Sequence, residues 1–223
     1  MNELIRKLIF FTLMQVIYYN VLYILFIPEI YTIVPYIIAL IIYYIISLTD
    51  TILRPLEEEG HSTGVDKLTI ILLLLFLSNP LFLIAAVAER KAFIEPFFPF
   101  WNTDLISAIG IIIFILSGII MAIGRLQLGK FATGKLSIQQ DHVLIDTGLY
   151  KYIRHPIYTT GIVGGFFYFM CFNSLLMGIF YTAFVLLIFT QRANYEEKIL
   201  EEEFGEEYTI YKQKTKKFFP FLY

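Results

Sequence analysis

An all-α, polytopic membrane protein is the fold class this sequence predicts: four transmembrane helices followed by a C-terminal helical hairpin. Three observations lead there. Of 223 residues, 58% are hydrophobic and only 16% are charged, with a mean hydropathy of +0.71; a soluble domain is about half apolar and a quarter charged. The apolar residues are gathered in long runs. The basic residues lie between those runs, in a pattern that one membrane face can collect.

The first run covers Leu4 to Ile27 and the second Ile30 to Thr49, parted only by Pro28-Glu29. The third covers Leu68 to Ala88 and the fourth Leu105 to Gly124. Each is close to the ~20 residues an α-helix needs to cross ~30 Å of hydrocarbon. Backbone groups in lipid must be satisfied within the segment, so these are helices and not strands. Arg6 and Lys7 precede the first run as they would a signal peptide. That run is too long for one and no small-x-small cleavage site follows, so it reads as a retained span.

The last apolar stretch, Pro156 to Thr190, is too long for one pass and slightly short for two, with a polar break at Asn173-Ser174. Positive charge decides its topology. If the stretch is a hairpin, the 125–155 loop and the tail after 190 share a face with Arg6, Lys7, Arg54 and Lys67, which puts 15 of 17 basic residues on one side. Only Arg90 and Lys91 then lie opposite. A single pass leaves no bias, so the positive-inside rule selects the hairpin with both termini cytoplasmic. The polar segments on either side of the hairpin thus meet at one membrane face.

Composition and residue types also exclude function classes. A net charge of −2 without a basic stripe excludes nucleic-acid binding. The lone Cys171 excludes an intrachain disulfide and a cysteine-based zinc cluster. His61, beside Glu57-Glu58-Glu59, lacks partner ligands nearby, so no metal site is expected. Gln15, Asn20 and Ser78-Asn79-Pro80 are the polar breaks of the early spans and read as interhelical hydrogen bonds and a kink. Gly110, Ser117, Gly118 and Gly124 read as close-packing positions, and Phe93 to Trp101 as an interfacial aromatic anchor.

The chemistry-bearing residues cluster in two places. Asp141 to Gly161 reads DHVLIDTGLYKYIRHPIYTTG, entering the hairpin through Arg154-His155-Pro156. Pro156 suits the first turn of a helix. That places Arg154 and His155 at a helix N-terminus, where exposed N–H groups attract an anion; snorkelling to the interface is the simpler reading of such a pair. In the tail, Arg192, Glu196, Leu200, Phe204 and Tyr208 recur every four residues and form a slowly drifting helical stripe. Gly205 is expected to end that helix and Pro220 to mark the final stop. The plainer reading of Arg192 and Glu196 is an i,i+4 surface pair.

The pattern Gly148-x-Tyr150-x-x-x-Arg154-His155-Pro156-x-Tyr158-x-x-Gly161, with His142 eight residues before Tyr150, resembles the signature of the isoprenylcysteine carboxyl methyltransferase family. So does Arg192-x-x-x-Glu196-Glu197-x-x-Leu200, followed by Phe204-Gly205-x-x-Tyr208-x-x-Tyr211. Leu149 stands where that family often has proline, and Gly161 is one residue further on than is common. The resemblance covers residues 125 to 220. It divides a single transmembrane domain, 1–223, into N-terminal spans of unassigned role (1–103) and a methyltransferase-like core (104–223).

The resemblance implies a membrane-embedded enzyme using S-adenosylmethionine, with a cytoplasmic cofactor site formed by the 125–158 segment and the tail helix. His142, Val143 and Leu144 would line the site. Tyr150, His155 and Tyr158 would touch the cofactor, in a cofactor-binding set that also holds Arg154, Pro156 and Glu197. Arg192 and Glu196 would be catalytic, facing a lipophilic or lipidated acceptor that enters from the membrane lipid. An isoprenylcysteine-type carboxylate is the acceptor implied. Phospholipid N-methyltransferases and thiol S-methyltransferases share the architecture. Sterol-reductase-like enzymes share the Arg-His-Pro-x-Tyr turn but use NADPH, and here Ile157 and Thr159-Thr160-Gly161 replace their usual Asn and Gly-Asp. A non-enzymatic membrane protein would carry charges or broken helices in the early spans, and the sequence offers little of either.

Overall fold

The computed structural model describes residues 2–55, 67–132 and 141–220. The acidic turn with His61 and the 133–140 part of the loop before His142 lie outside the described residues. Among the described residues the chain is helical, with one isolated parallel bridge between Ile153 and Lys216. Five helical stretches of the described residues are long and apolar enough to cross a membrane: Leu4–Phe26, Val34–Leu53, Leu73–Phe97, Asp104–Phe131 and Leu175–Phe204.

The first span is α1 (Glu3–Phe11) and α2 (Tyr19–Phe26), joined by a π-helical segment, Thr12–Tyr18, that buries Gln15. The second is α3 (Val34–Leu53). Asn20 Nδ2 donates to the Tyr44 hydroxyl at 2.7 Å, the interhelical bond expected of it. The third, α4 (Lys67–Glu89), carries Pro80 inside the helix. Proline has no N–H to give the carbonyl four residues back. That carbonyl, Phe76 C=O, instead accepts the hydroxyl of Tyr19 from the first span, so the freed group is satisfied by a neighbouring helix. A short α5 (Glu95–Phe97) follows, and Phe97 and Phe100 remain exposed.

The fourth span, α6 (Asp104–Leu128), starts at a Thr103 cap whose hydroxyl accepts from Ile106 N–H and ends at Gly129, φ +55°. Gly110, Ser117 and Gly124 recur every seven residues, all buried, and face α7 (Pro156–Met170). A Cβ on Gly110 would lie 2.7 Å from the Cys171 backbone nitrogen, and one on Gly124 3.2 Å from Ile157 Cγ1. Small residues let the two backbones approach closely, as in membrane helix pairs.

The hairpin forms. Its turn is a Schellman arrangement: Ser174 N–H donates to Phe169 O at 3.2 Å and Asn173 N–H to Met170 O at 3.0 Å. Asn173 takes the left-handed conformation, φ +57°, which asparagine tolerates. The returning helix is α8 (Leu175–Phe204). Its first N–H groups are capped from α4, where Glu89 accepts from Leu176 and Met177, both at 2.9 Å, and from the Ser174 hydroxyl. The two arms are unequal: α7 has 15 residues, about 22 Å of helix against ~30 Å of hydrocarbon. The shortfall noted in the sequence therefore falls on one arm, which is flanked by α6 and α8.

Helix α8 runs past its apolar part and stops at Gly205, φ +55°, as expected. The last helix, α9 (Glu206–Lys214), ends before Pro220, because the chain turns extended at Thr215. There it pairs with the segment ahead of α7: Lys216 N–H to Tyr152 O, Arg154 N–H to Lys216 O and His155 N–H to Lys217 O, at 3.1, 2.8 and 3.1 Å. That pairing joins the two sequence motifs.

Candidate active site

Pro156 opens α7 as its first residue, so Arg154 and His155 precede the helix as the sequence implies. Tyr158 follows within the first turn, with its ring stacked between the His155 imidazole (centroids 5.3 Å, 5°) and the Phe189 ring (4.9 Å, 24°). Residues 192, 196 and 197 lie on α8 within two turns and face these rings. The Tyr158 hydroxyl donates to Glu196 Oε2 at 2.7 Å and accepts Arg192 Nε–H at 3.1 Å. His155 Nε2 lies 3.1 Å from Glu197 Oε1, and Nδ1 is 3.7 Å from Glu196 Oε2. Arg192, His155 and Glu197 are buried, whereas the Glu196 side chain remains 34% exposed. An exposed i,i+4 pair would not show this burial.

The neighbouring Arg154 faces the tail. Its Nε donates to Glu197 Oε1 at 2.9 Å, and its terminal nitrogen donates to the carbonyls of Lys212 and Thr215 at 3.2 and 2.6 Å. Lys217 Nζ completes the set 3.3 Å from Glu197 Oε2. Glu197 thus holds the Arg-His turn on one side and the tail on the other. The buried Tyr150 is tied in by its carbonyl, which accepts the Tyr211 hydroxyl at 2.8 Å. Burial pushes the Tyr150 and Tyr211 phenols up, so both stay neutral hydroxyls.

His142 reaches the same region from the loop. Its ring stacks on Phe131, at the end of the α6 span (4.3 Å, 10°), and meets Phe204, the last residue of α8, edge-on (5.7 Å, 72°). Burial lowers its pKa below 6.5, although Glu203 and Glu196 pull the other way, and its Nδ1 is buried without a hydrogen-bond partner among the described residues. Leu144 is half-buried and Val143 is exposed. The structure therefore brings His142, Tyr150, Arg154, His155, Pro156, Tyr158, Arg192, Glu196 and Glu197 to one end of the α6–α8 bundle; Val143 stands at its outer edge.

Sequence reasoning missed the support beneath this site. Asp50, near the end of α3, accepts Arg125 Nε–H at 2.7 Å, and Arg125 in turn donates to the Ala132 carbonyl at 2.9 Å. Phe131, the stacking partner of His142, is next to Ala132. An N-terminal span thereby braces the strap that carries Phe131. The available signal is a pair of opposite charges, Asp50 and Arg125, at the ends of two apolar runs.

Comparisons agree with this architecture. The model of the isoprenylcysteine carboxyl methyltransferase family matches residues 108–202. The protein-S-isoprenylcysteine O-methyltransferase of Schizosaccharomyces pombe is 28% identical over 120 residues, 45% of this chain and 49% of that protein. Enzyme B of that name from Arabidopsis thaliana is 28% identical over 166 residues, 71% of this chain and 82% of that one. The chain thus spans about half the length of the first relative and most of the second. The solved structure of the eukaryotic intramembrane Ras methyltransferase, an isoprenylcysteine carboxyl methyltransferase, matches with a TM-score of 0.61 at 24% identity, covering 84% of this chain and 65% of that one. Neither the sterol-reductase-like nor the non-enzymatic reading gains support from these matches. Residues 108–202 thus match the model of the isoprenylcysteine carboxyl methyltransferase family, and the membrane fold around them is similar to that of the solved Ras methyltransferase.

Proposed function

We propose that this chain is an integral membrane methyltransferase that moves a methyl group from S-adenosylmethionine to a lipophilic acceptor, a carboxylate of the isoprenylcysteine type. The observation that carries the reading is the Arg192–Tyr158–Glu196 chain of hydrogen bonds at the end of the hairpin, with His142 beside it. The residues fit the cofactor chemically. The buried Nδ1 of His142, without a hydrogen-bond partner among the described residues, offers a polar atom to a ligand. The Phe204 ring, which meets His142 only edge-on, offers a π face, and Glu196 offers negative charge, to a cation. His142, Val143, Leu144, Tyr150, His155, Pro156 and Tyr158 would hold the group, with Arg154 and Glu197 securing the turn behind them. When bound, the cofactor supplies a methyl group on positively charged sulfur, which a carboxylate accepts without losing a proton.

The protein's work is then alignment and charge placement rather than proton transfer. Arg192, held at Nε by Tyr158, orients the acceptor carboxylate through charge-assisted hydrogen bonding. Glu196, held by the same hydroxyl, balances positive charge beside it. Tyr158 couples the two, so donor and acceptor sides are registered through one phenol. The acceptor enters from the bilayer, and both termini face the cytoplasm, a reading the distribution of basic residues supports. Calorimetric titration of the purified chain with S-adenosylhomocysteine, with NADPH in parallel, tests the reading. Binding of S-adenosylhomocysteine alone supports it, and binding of NADPH alone overturns it.

A further inference from the structure

An open cleft of about 530 Å³ lies on the tail side of the Arg154–Glu197 pair, lined by Arg154, Lys198, Lys212, Lys216 and Lys217 against Glu197 and Glu201, with Asn194 and Thr215 between them. Tyr158, Arg192 and Glu196 are not among its walls. Five cations here face two carboxylates, and the pairings use both anions. Glu197 is taken by Arg154 and Lys217, and Glu201 by Lys212 at 2.6 Å. Among the described residues, Lys198 pairs only with Glu202, at 3.9 Å with both side chains about 70% exposed, and Lys216 is exposed with no carboxylate within ion-pair distance. The cleft therefore keeps a surplus of positive charge.

Its position narrows the ligand. Lys216 and Lys217 lead directly into Phe218 and Phe219, which pack against Ile162, Val185 and Ile188 of the hairpin. The Phe218 carbonyl accepts the Thr159 hydroxyl at 2.6 Å, pinning the tail to the start of α7. The cationic cleft thus stands on the water side of the boundary at which the apolar helices begin. A basic cluster there, followed by aromatic residues, faces the plane of phosphate groups, where each Lys or Arg near the surface adds attraction for anionic lipid.

We propose that this cleft is a binding site for a phosphate-bearing anion, supplied by the headgroup of an anionic glycerophospholipid. Arg154 and Lys217 form its buried floor, already oriented by Glu197, and Lys198 and Lys216 are the exposed arms that close on the phosphate. The cleft shares Arg154 and Glu197 with the support of the proposed methyl-transfer site but none of the residues that would touch the cofactor or acceptor there, and its assignment does not depend on that reading.

The test uses the full chain in neutral detergent, titrated calorimetrically with short-chain phosphatidylglycerol, short-chain phosphatidylcholine or inorganic phosphate, each below its micellar concentration where one applies. Phosphatidylglycerol is expected to bind at least about tenfold more tightly than phosphatidylcholine. The double variant Lys198→Gln/Lys216→Gln should bind it roughly 30-fold more weakly, about fivefold per lysine, with S-adenosylhomocysteine affinity unchanged. Inorganic phosphate binding as tightly as phosphatidylglycerol would keep the phosphate site but overturn the lipid as its source. Equal binding of the two lipids, or an unaffected double variant, would overturn the site. A parallel loss of S-adenosylhomocysteine affinity would overturn its separateness and assign the cleft to the cofactor.

Discussion

The hydroxyl of Tyr158 donates to Glu196 Oε2 at 2.7 Å while accepting Arg192 Nε–H at 3.1 Å. One neutral group near the start of a short helix thereby sets the relative position of a buried cation and a partly exposed anion on the next helix. In Tyr158→Phe the ring stack against His155 and Phe189 is retained and only the hydroxyl is lost. Turnover is expected to fall about 10- to 100-fold, the ~1.5–3 kcal/mol of a hydrogen bond to a charged group. S-adenosylhomocysteine affinity should change by less than about threefold, about 0.7 kcal/mol. A variant that binds and turns over normally would remove the phenol from the account.

Arg192→Ala is expected to spare cofactor affinity and abolish most turnover, because the acceptor loses its partner. Arg192→Lys should not restore it, since a point charge does not replace a planar fork that bonds Tyr158 at Nε. Loss of cofactor binding together with turnover would mean that Arg192 serves the cofactor or the fold instead.

Much of this was legible in the residues. The four apolar runs became helices near their expected bounds, and the hairpin break fell at Asn173-Ser174, because a left-handed turn in lipid needs a residue that tolerates it. Gly110, Ser117 and Gly124 were legible as close-packing positions, but not their partner α7, since nothing local says which helix will approach. Asp50 and Arg125 are 75 residues apart, and Glu89 caps a helix 86 positions further on, at Leu175; such long-range pairings leave no periodic trace. The extended tail after Thr215 was equally hidden, because its backbone bonds go to a segment 62 to 64 residues earlier.

Breaking the brace under the site should destabilise the fold. Asp50→Asn leaves the guanidinium of Arg125, buried at 8% exposure, without its carboxylate. Removing one partner of a buried pair costs roughly 3 kcal/mol or more. The double variant Asp50→Asn/Arg125→Gln should recover part of the loss in thermal unfolding, and strictly additive effects would show that the pair is uncoupled.

Gly110→Ala places a methyl group 2.7 Å from backbone at Cys171, which cannot move aside as a side chain can. Gly124→Ala meets only the flexible Ile157 side chain at 3.2 Å. The first is expected to lose about 1–3 kcal/mol and the second less; equal melting temperatures would contradict the close α6–α7 approach.

His142 predicts a pH dependence. Its folded pKa lies below the ordinary 6.5 because burial disfavours the imidazolium, while Glu203 and Glu196 oppose that shift and Lys130 adds to it. The unfolded chain therefore takes up this proton first as the pH falls. The contribution to stability is complete above about pH 6.5 and declines as the pH drops toward and through the folded value. His142→Phe should flatten the stability profile between about pH 7 and 5.5, and an unchanged slope would show that His142 is protonated alike in both states.

The most direct measurement is methyl transfer itself. The purified chain is supplied with S-adenosylmethionine carrying a radiolabelled methyl group and a farnesylated cysteine with a free carboxyl group. The account predicts label in the lipid product that base treatment releases as volatile methanol, the behaviour of a methyl ester, and loss of that label in Arg192→Ala. Base-stable label, or none from protein that binds S-adenosylhomocysteine, would contradict a carboxylate acceptor.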